Sequence, residues 1–288
     1  MTLPTFSKPH PPTQHCLLSF PTPEILLVTL NRPKSLNCVS SQGHAELHAV
    51  WEWMDAEPLL RAGIITGKGR AFCAGADLKE WNDKNAPQSS GRPTPPSSGF
   101  AGLSRRAGKK PVICAVNGLA YGGGCEIIIN ADMVIASKRA AKFALPEVKR
   151  GVAALAGGLT RLVRTVGKQR AMEMALTGRV VQVEEAERWG LVNEVVEDGE
   201  ETDDVEVRER RVVKRAVEVA EEIVANSPDA VIVSREGVKM GWEGVGAEDG
   251  NRMLMEVWAS RLNQGENLKE GVKAFVEKRT PRWVPSKL

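Results

Sequence analysis

Apolar residues gather in short, β-branched runs at residues 24–31 (EILLVTLN), 62–66 (AGIIT) and 111–116 (PVICAV), each punctuated by Gly or Pro. Runs of this length and punctuation predict buried strands. Between the first two, Leu47, Val50, Trp51 and Met54 recur at helical spacing within 41–56, which predicts an amphipathic helix. Strand, helix, strand at this scale indicates an α/β arrangement. Beyond Gly122–Gly124, the stretch EIIINADMVIAS predicts a short helix followed by a strand, and 167–178 and 184–190 read as helices stopped by Gly. From residue 205 the pattern is almost entirely helical, through 212–225, 229–240, 246–262 and 268–278. There is no internal repeat.

This patterning divides the chain into a flexible Pro-rich arm (1–15), an α/β core (16–204), a helical C-terminal region (205–283) and a short tail (284–288). Within the core, 84–106 carries Ser clusters flanked by Pro or Gly and no apolar period, so it is expected to be a mobile surface loop. The acidic stretch 197–204 (EDGEETDD) reads as a solvated connector.

Composition narrows the function classes. With 39 Lys plus Arg against 36 Asp plus Glu, the net charge of +3 gives no electrostatic case for nucleic acid or an acidic membrane as partner. The longest charge-free stretches, 9–23 and 111–125, are broken by Pro or Gly and fall short of the ~20 apolar residues of a membrane span. Five cysteines without a CxxC pair suit reduced, mostly buried thiols of an intracellular protein. Ser286, Lys287 and Leu288 form the tripeptide read as a peroxisomal address at a free carboxyl terminus, so in a eukaryote a peroxisomal import receptor is an expected partner.

Several chemistries lack support. All four histidines lie in the first 48 residues and there is no GxSxG, which removes the usual signature of a Ser-His-Asp hydrolase. His44 and His48 stand one helical turn apart but are not part of HExxH, and read as a solvated helix face rather than a metal site. GLAYGGG (118–124) is followed by Cys125-Glu126 where a P-loop needs Lys and Ser or Thr, and no GxGxxG is completed. What remains are three turns rich in small residues, each after an apolar run: AFCAGADLKE (71–80), NGLAYGGGCE (117–126) and FALPEVKRG (143–151). Small residues at a strand-to-helix turn let backbone N–H groups approach a ligand, and two such turns could build an oxyanion hole. For one turn taken alone, glycines that merely permit tight packing are the preferred reading.

These turns, with NRPKSLN (31–37), AGGLTRL (156–162), TGRVVQVEEAERWGLVNEVV (177–196) and AFVEKRTPRW (274–283), resemble in order the crotonase, or enoyl-CoA hydratase/isomerase, superfamily. The resemblance implies a crotonase-like spiral of ββα units with a C-terminal helical trimerisation region, a homotrimer or hexamer, and an acyl-CoA thioester as substrate. Coenzyme A then arrives as part of the substrate, and no separate cofactor or metal is expected. The oxyanion hole would be the backbone N–H groups of Ala76 and Gly123. Glu147 would be the acid/base at C2 and Glu126 would hold and activate the water added at C3. The resemblance places Lys34, Ser35, Leu36, Asp77, Leu78 and Lys79 along the CoA, and Phe275 with Lys278 on a neighbouring subunit's CoA. One departure stands out: Ala154 and Leu155 occupy positions where many hydratases have Pro and Gly, and Leu155 is expected to crowd the acyl or water site. The implied activity is reversible hydration of a trans-2-enoyl-CoA, in β-oxidation or, in reverse, on a hydroxylated branched acyl-CoA. The alternatives are a double-bond isomerase and a non-catalytic acyl-CoA- or RNA-binding member.

Overall fold

The computed structural model describes residues 4–84, 96–197 and 205–288. The first long strands form a six-stranded sheet: β1 (Cys16–Ser19), β2 (Ile25–Leu30), β3 (Ala62–Gly67), then β5 (Val112–Val116), β7 (Met133–Ser137) and β10 (Glu194–Val196), in that spatial order. From β2 to β10 every pairing is parallel, and β1 adds an antiparallel edge. Three very short strands, β4 (Ala71–Cys73), β6 (Leu119–Tyr121) and β8 (Lys142–Ala144), lie parallel in a second sheet closed by β9 (Val181–Gln182). Each follows a strand of the first sheet: β3 leads to β4, β5 to β6 and β7 to β8. This is the spiral of ββα units expected from the sequence.

The absence of alternation along these strands has a direct cause. On one face, Leu26, Val28 and Leu30 join the cluster containing Leu47, Val50, Trp51 and Met54 of helix α1 (Ser41–Ala56). On the other, Ile25, Ala62, Ile64, Ile113 and Ala115 meet Val212, Ala216 and Ala220. Those last three recur every four residues along a helix, Val205–Val224, whose small side chains let it approach the sheet closely. Both faces are therefore apolar, as in a sheet covered by helices.

Between the sheets' ends run α2 (Leu78–Lys84), α3 (Gly123–Asn130), α4 (Gly158–Val166), α5 (Lys168–Thr177) and α6 (Val183–Arg188). The C-terminal region comprises α7 (Val205–Val224), α8 (Pro228–Trp242), α9 (Ala247–Met253), α10 (Ser260–Gln264) and α11 (Glu266–Val276). A π-helical turn, Leu254–Ala259, joins α9 to α10, so the helical run expected at 246–262 is continuous. No helix among the described residues is long and apolar enough to cross a membrane.

Two expectations are corrected. The Pro-rich segment read as a flexible arm is docked through residues 6–8: Ser7 donates through N–H and hydroxyl to Glu57, Trp53 Nε1 donates to the Lys8 carbonyl, and Phe6 packs on Phe20 and Trp53. Aromatic packing, invisible to a composition argument, holds it. In the segment read as a mobile loop, 85–95 lies outside the described residues, but Phe100, Ala101, Leu103, Ser104 and Arg106 are buried. The tail is folded back, with Lys109 Nζ donating to the Leu288 carbonyl and Lys287 paired with Glu266.

Candidate active site

Because β4, β6 and β8 are parallel neighbours, the turns leaving their C-terminal ends come together at one edge. Open α/β sheets place ligands at this end. The turn after β4 contains Gly75 at φ +97°, where a Cβ would stand 3.0 Å from the Tyr121 carbonyl and 3.3 Å from the Gly123 nitrogen. Only glycine fits both the dihedral and the approach. The turn is braced by Val39 N–H donating to Gly75 O (2.9 Å), Asp77 N–H to Val39 O (3.1 Å) and Ala74 N–H to Leu36 O (3.0 Å). Arg32 clamps it further through its ion pair with Asp77 at 2.9 Å. Neither the Ala76 amide nor the Gly123 amide, which opens α3, has a backbone acceptor among the described residues. Two N–H groups thus sit on abutting turns, one at the positive end of a helix.

Two carboxylates lie close by, one on α3 and one against Gly122. Glu126 lies in the first turn of α3, which is buried almost all round, and is itself 3% exposed. Its Oε1 accepts from Gly158 N–H at 2.9 Å, and the Ala156 amide adds a second bond. Burial pushes its pKa up to about 7, the amides pull down, and the Glu147 charge pushes up again. Glu147 sits on the 3-10 turn Pro146–Arg150, half-buried, with Oε1 3.1 Å from where a Cβ on Gly122 would lie. Its Oε2 is buried without a partner, and burial raises its pKa against the pull of its own amide and Arg150. An acid that keeps its proton near neutrality, beside a second carboxylate with a free oxygen, suits proton transfer at adjacent atoms.

The sequence profile of the family described as enoyl-CoA hydratase/isomerase matches residues 22–285. The chain belongs to that family. The enoyl-CoA hydratase/isomerase assignment agrees with its similarity to two fungal proteins named mevalonyl-coenzyme A hydratase. That of Aspergillus fumigatus is 52% identical over 279 residues, covering 97% of this chain and 98% of its own. That of Beauveria bassiana is 51% identical over 290 residues, covering 99% and 100%. The crystal structure of an enoyl-CoA hydratase from Mycobacterium tuberculosis superposes with a TM-score of 0.80 at 33% identity, covering 94% of this chain and 99% of that one. The protein is an enzyme of the hydratase type within this family, and CoA thioesters are its substrate class.

The remaining expected site residues fall in three places. Lys34 and Ser35 are exposed on the 3-10 turn Pro33–Ser35, and Leu36 follows at φ +51°, joined to the β4 turn through its carbonyl. Asp77 is half-buried on its ion pair, while Leu78 and Lys79 are exposed at the start of α2. Phe275 is 85% exposed at the end of α11, and Lys278 follows at φ +53° in solvent, both apart from the paired carboxylates. Leu155 is 81% exposed, while the adjacent Ala154 is buried. The backbone turns there so that Ala156 and Gly158 can aim their amides at Glu126, which sends Leu155 outward.

The sequence reading missed the wall of this site. Phe100, within the supposed loop, lies with ring atom Cδ2 2.3 Å from where a Cβ on Gly123 would be, so it packs directly on that amide's residue. His44, read as solvated, meets the Phe100 ring edge-on at 4.6 Å and its Nδ1 accepts from Ala101 N–H at 3.0 Å. Burial drives the His44 pKa down to about 4, so the ring is neutral and that bond intact at ordinary pH. The helical spacing of His44 and Phe100's isolation in a polar stretch were the available signals; neither marks a contact 56 residues away in the chain.

A pH dependence follows. The folded state binds fewer protons at His44 than the unfolded state between about pH 6.5 and 4, so its contribution is complete above that window and lost as pH falls through it. Compared with His44→Asn, which retains an acceptor, the wild type should lose about 2 kcal/mol more between pH 7.5 and pH 5 in urea unfolding. Parallel pH curves for the two proteins would show that His44 titrates normally.

Proposed function

We propose that the protein interconverts a 3-hydroxyacyl-CoA and its 2-enoyl-CoA by reversible loss of water, and that its preferred substrate is mevalonyl-CoA or a similarly branched, hydroxylated thioester. The observation that carries the reaction is the pairing of two carboxylates around the start of α3: Glu126 in its first turn feels the charge of Glu147, whose Oε1 faces Gly122 and whose Oε2 is buried without a partner among the described residues. The acyl class rests on the two fungal relatives, each above half identity over nearly its whole length.

In the dehydration direction the thioester oxygen accepts from the Ala76 and Gly123 N–H groups. Glu147 takes the proton from C2, and the electron pair passes through an enolate stabilised by those two donors. Glu126 gives its proton to the C3 oxygen; the C3–O bond breaks, the C2=C3 bond forms and water leaves. Its pKa near 7 supports a residue that holds a proton to donate and regains it readily. Hydration is the same path reversed, since stabilising one transition state accelerates both directions. Lys34, Ser35, Leu36 and Asp77–Lys79 would follow the CoA chain away from the turns. Exposed Phe275 and Lys278 would serve a neighbouring copy in a homotrimer or hexamer.

The test supplies mevalonyl-CoA and 3-hydroxybutyryl-CoA separately and follows the conjugated enoyl-thioester absorbance. A kcat/KM at least about 10-fold higher for mevalonyl-CoA is expected, the scale a pocket achieves when it meets an extra polar group. Equal use of both, or the reverse preference, removes the acyl assignment. Failure of folded, CoA-binding protein to dehydrate either removes the activity.

A further inference from the structure

Ser104 is fully buried, as few serines are without a specific partner, and its hydroxyl both donates and accepts. It donates to the Ala156 carbonyl at 2.7 Å and accepts from the Phe100 N–H at 2.7 Å. Both partners belong to the site. Ala156 opens the turn whose amides, with that of Gly158, hold the Glu126 carboxylate. Phe100 is the ring packed against Gly123, and its turn is anchored on the far side by Ala101 N–H donating to His44. The Ser104 neighbourhood leaves no slack: a Cβ on Gly99 would lie 2.4 Å from its Oγ and 3.0 Å from the Ala156 carbonyl.

We propose that Ser104 is a positioning residue whose one hydroxyl couples the turn holding Glu126 to the turn packed on Gly123, setting the distance between the proton donor and the thioester carbonyl. The proposal rests on the catalytic reading of Glu126 and Gly123 given above. A hydroxyl is the smallest group that can donate to one backbone carbonyl and accept from one amide at once, and alanine leaves both backbone groups buried without partners. The Ala156–Gly158 turn then drifts, and the carboxylate of Glu126 loses part of the hydrogen bonding that favours its ionised form.

The experiment compares wild type, Ser104→Ala, Ser104→Thr, Glu126→Gln and the double variant Ser104→Ala/Glu126→Gln on crotonyl-CoA across pH. For Ser104→Ala we expect kcat down about 10- to 100-fold with KM within about twofold, the scale of a misplaced catalytic group. The limb of the kcat profile reporting ionisation of Glu126 should move to higher pH by about one unit. Ser104→Thr, which keeps the hydroxyl, should restore the wild-type limb. In the Glu126→Gln background, Ser104→Ala should cost little more, because the group it positions is gone. If Ser104→Ala does not fold, Ser104→Cys, a weak donor at the same place, is read the same way. An unchanged limb with lowered thermal stability, or an equal kcat loss with and without Glu126, overturns the proposal. Near wild-type activity of Glu126→Gln alone would instead overturn the catalytic reading beneath it.

Discussion

Replacing Glu147 with glutamine is expected to abolish turnover of crotonyl-CoA, lowering kcat by about 10³- to 10⁴-fold with little change in KM. The substitution is close to isosteric, so it tests charge and basicity rather than packing. Glu147 Oε2 is buried without a partner among the described residues, and Oε1 of the same carboxylate faces Gly122, beside the amide where the thioester carbonyl is proposed to sit. An amide nitrogen at that place can neither take the C2 proton nor return it. The measurement is the rate of loss of the conjugated enoyl-thioester absorbance, with binding checked by titration of a saturated acyl-CoA. A glutamine variant within about tenfold of wild type would mean that another group abstracts the proton and that the unpartnered oxygen has a different use.

Glu126→Gln carries the second large effect, and it reaches activity and stability with opposite signs. Hydration should fall by about 10²- to 10⁴-fold, since the amide cannot hold and activate water for C3. Migration of a double bond, which needs one proton-shuttling carboxylate, should survive largely intact, separating a hydratase from an isomerase. Stability should rise at alkaline pH. The folded pKa of Glu126 is raised to about 7, so the folded state holds a proton that the unfolded state has released. Its contribution is complete below about pH 4.5 and is lost as pH rises through 7, because a buried carboxylate must then ionise. Glutamine accepts the Gly158 N–H without that cost, and the variant should gain about 2–3 kcal/mol on wild type between pH 5 and pH 8. Loss of activity with gain of stability is the pattern of a residue kept for chemistry. Loss of both would instead place Glu126 in the packing.

Much of this architecture was legible in the order of residues because local rules and tertiary demands agree there. The runs at 24–31, 62–66 and 111–116 became β2, β3 and β5, and the helix expected at 41–56 is α1. A strand covered on both faces must be apolar throughout, so its signal survives without any knowledge of the fold. The small-residue turns were legible for a similar reason. Gly75 and Gly123 lie where a side chain would strike backbone or a ring, Gly122 takes φ +56° against the Glu147 carboxylate, and such positions show directly as glycine. The family resemblance then brought Glu126 and Glu147 forward as a pair.

The strands that bring those turns together were not legible. β4, β6 and β8 have three residues each, too few for a period, and they exist only because each pairs with the next. The segment 96–106 reads as polar coil, yet its Phe100 and Ala101 N–H groups donate to Ser104 and His44, and the Ser104 hydroxyl donates to the Ala156 carbonyl. Likewise the N-terminal residues read as a free arm until Phe6, Phe20 and Trp53 are seen to cluster. The pairing of Glu126 with Glu147 came from the family resemblance, whereas the sequence by itself determined the buried apolar strands, the helices and the obligatory glycines. These are properties of single residues and short periods. Only the tertiary structure decided that Glu126 is buried between two amides, that Leu155 points to solvent and that Ser104 joins both halves of the site. Those depend on desolvation and on contacts between distant segments, which no local pattern encodes.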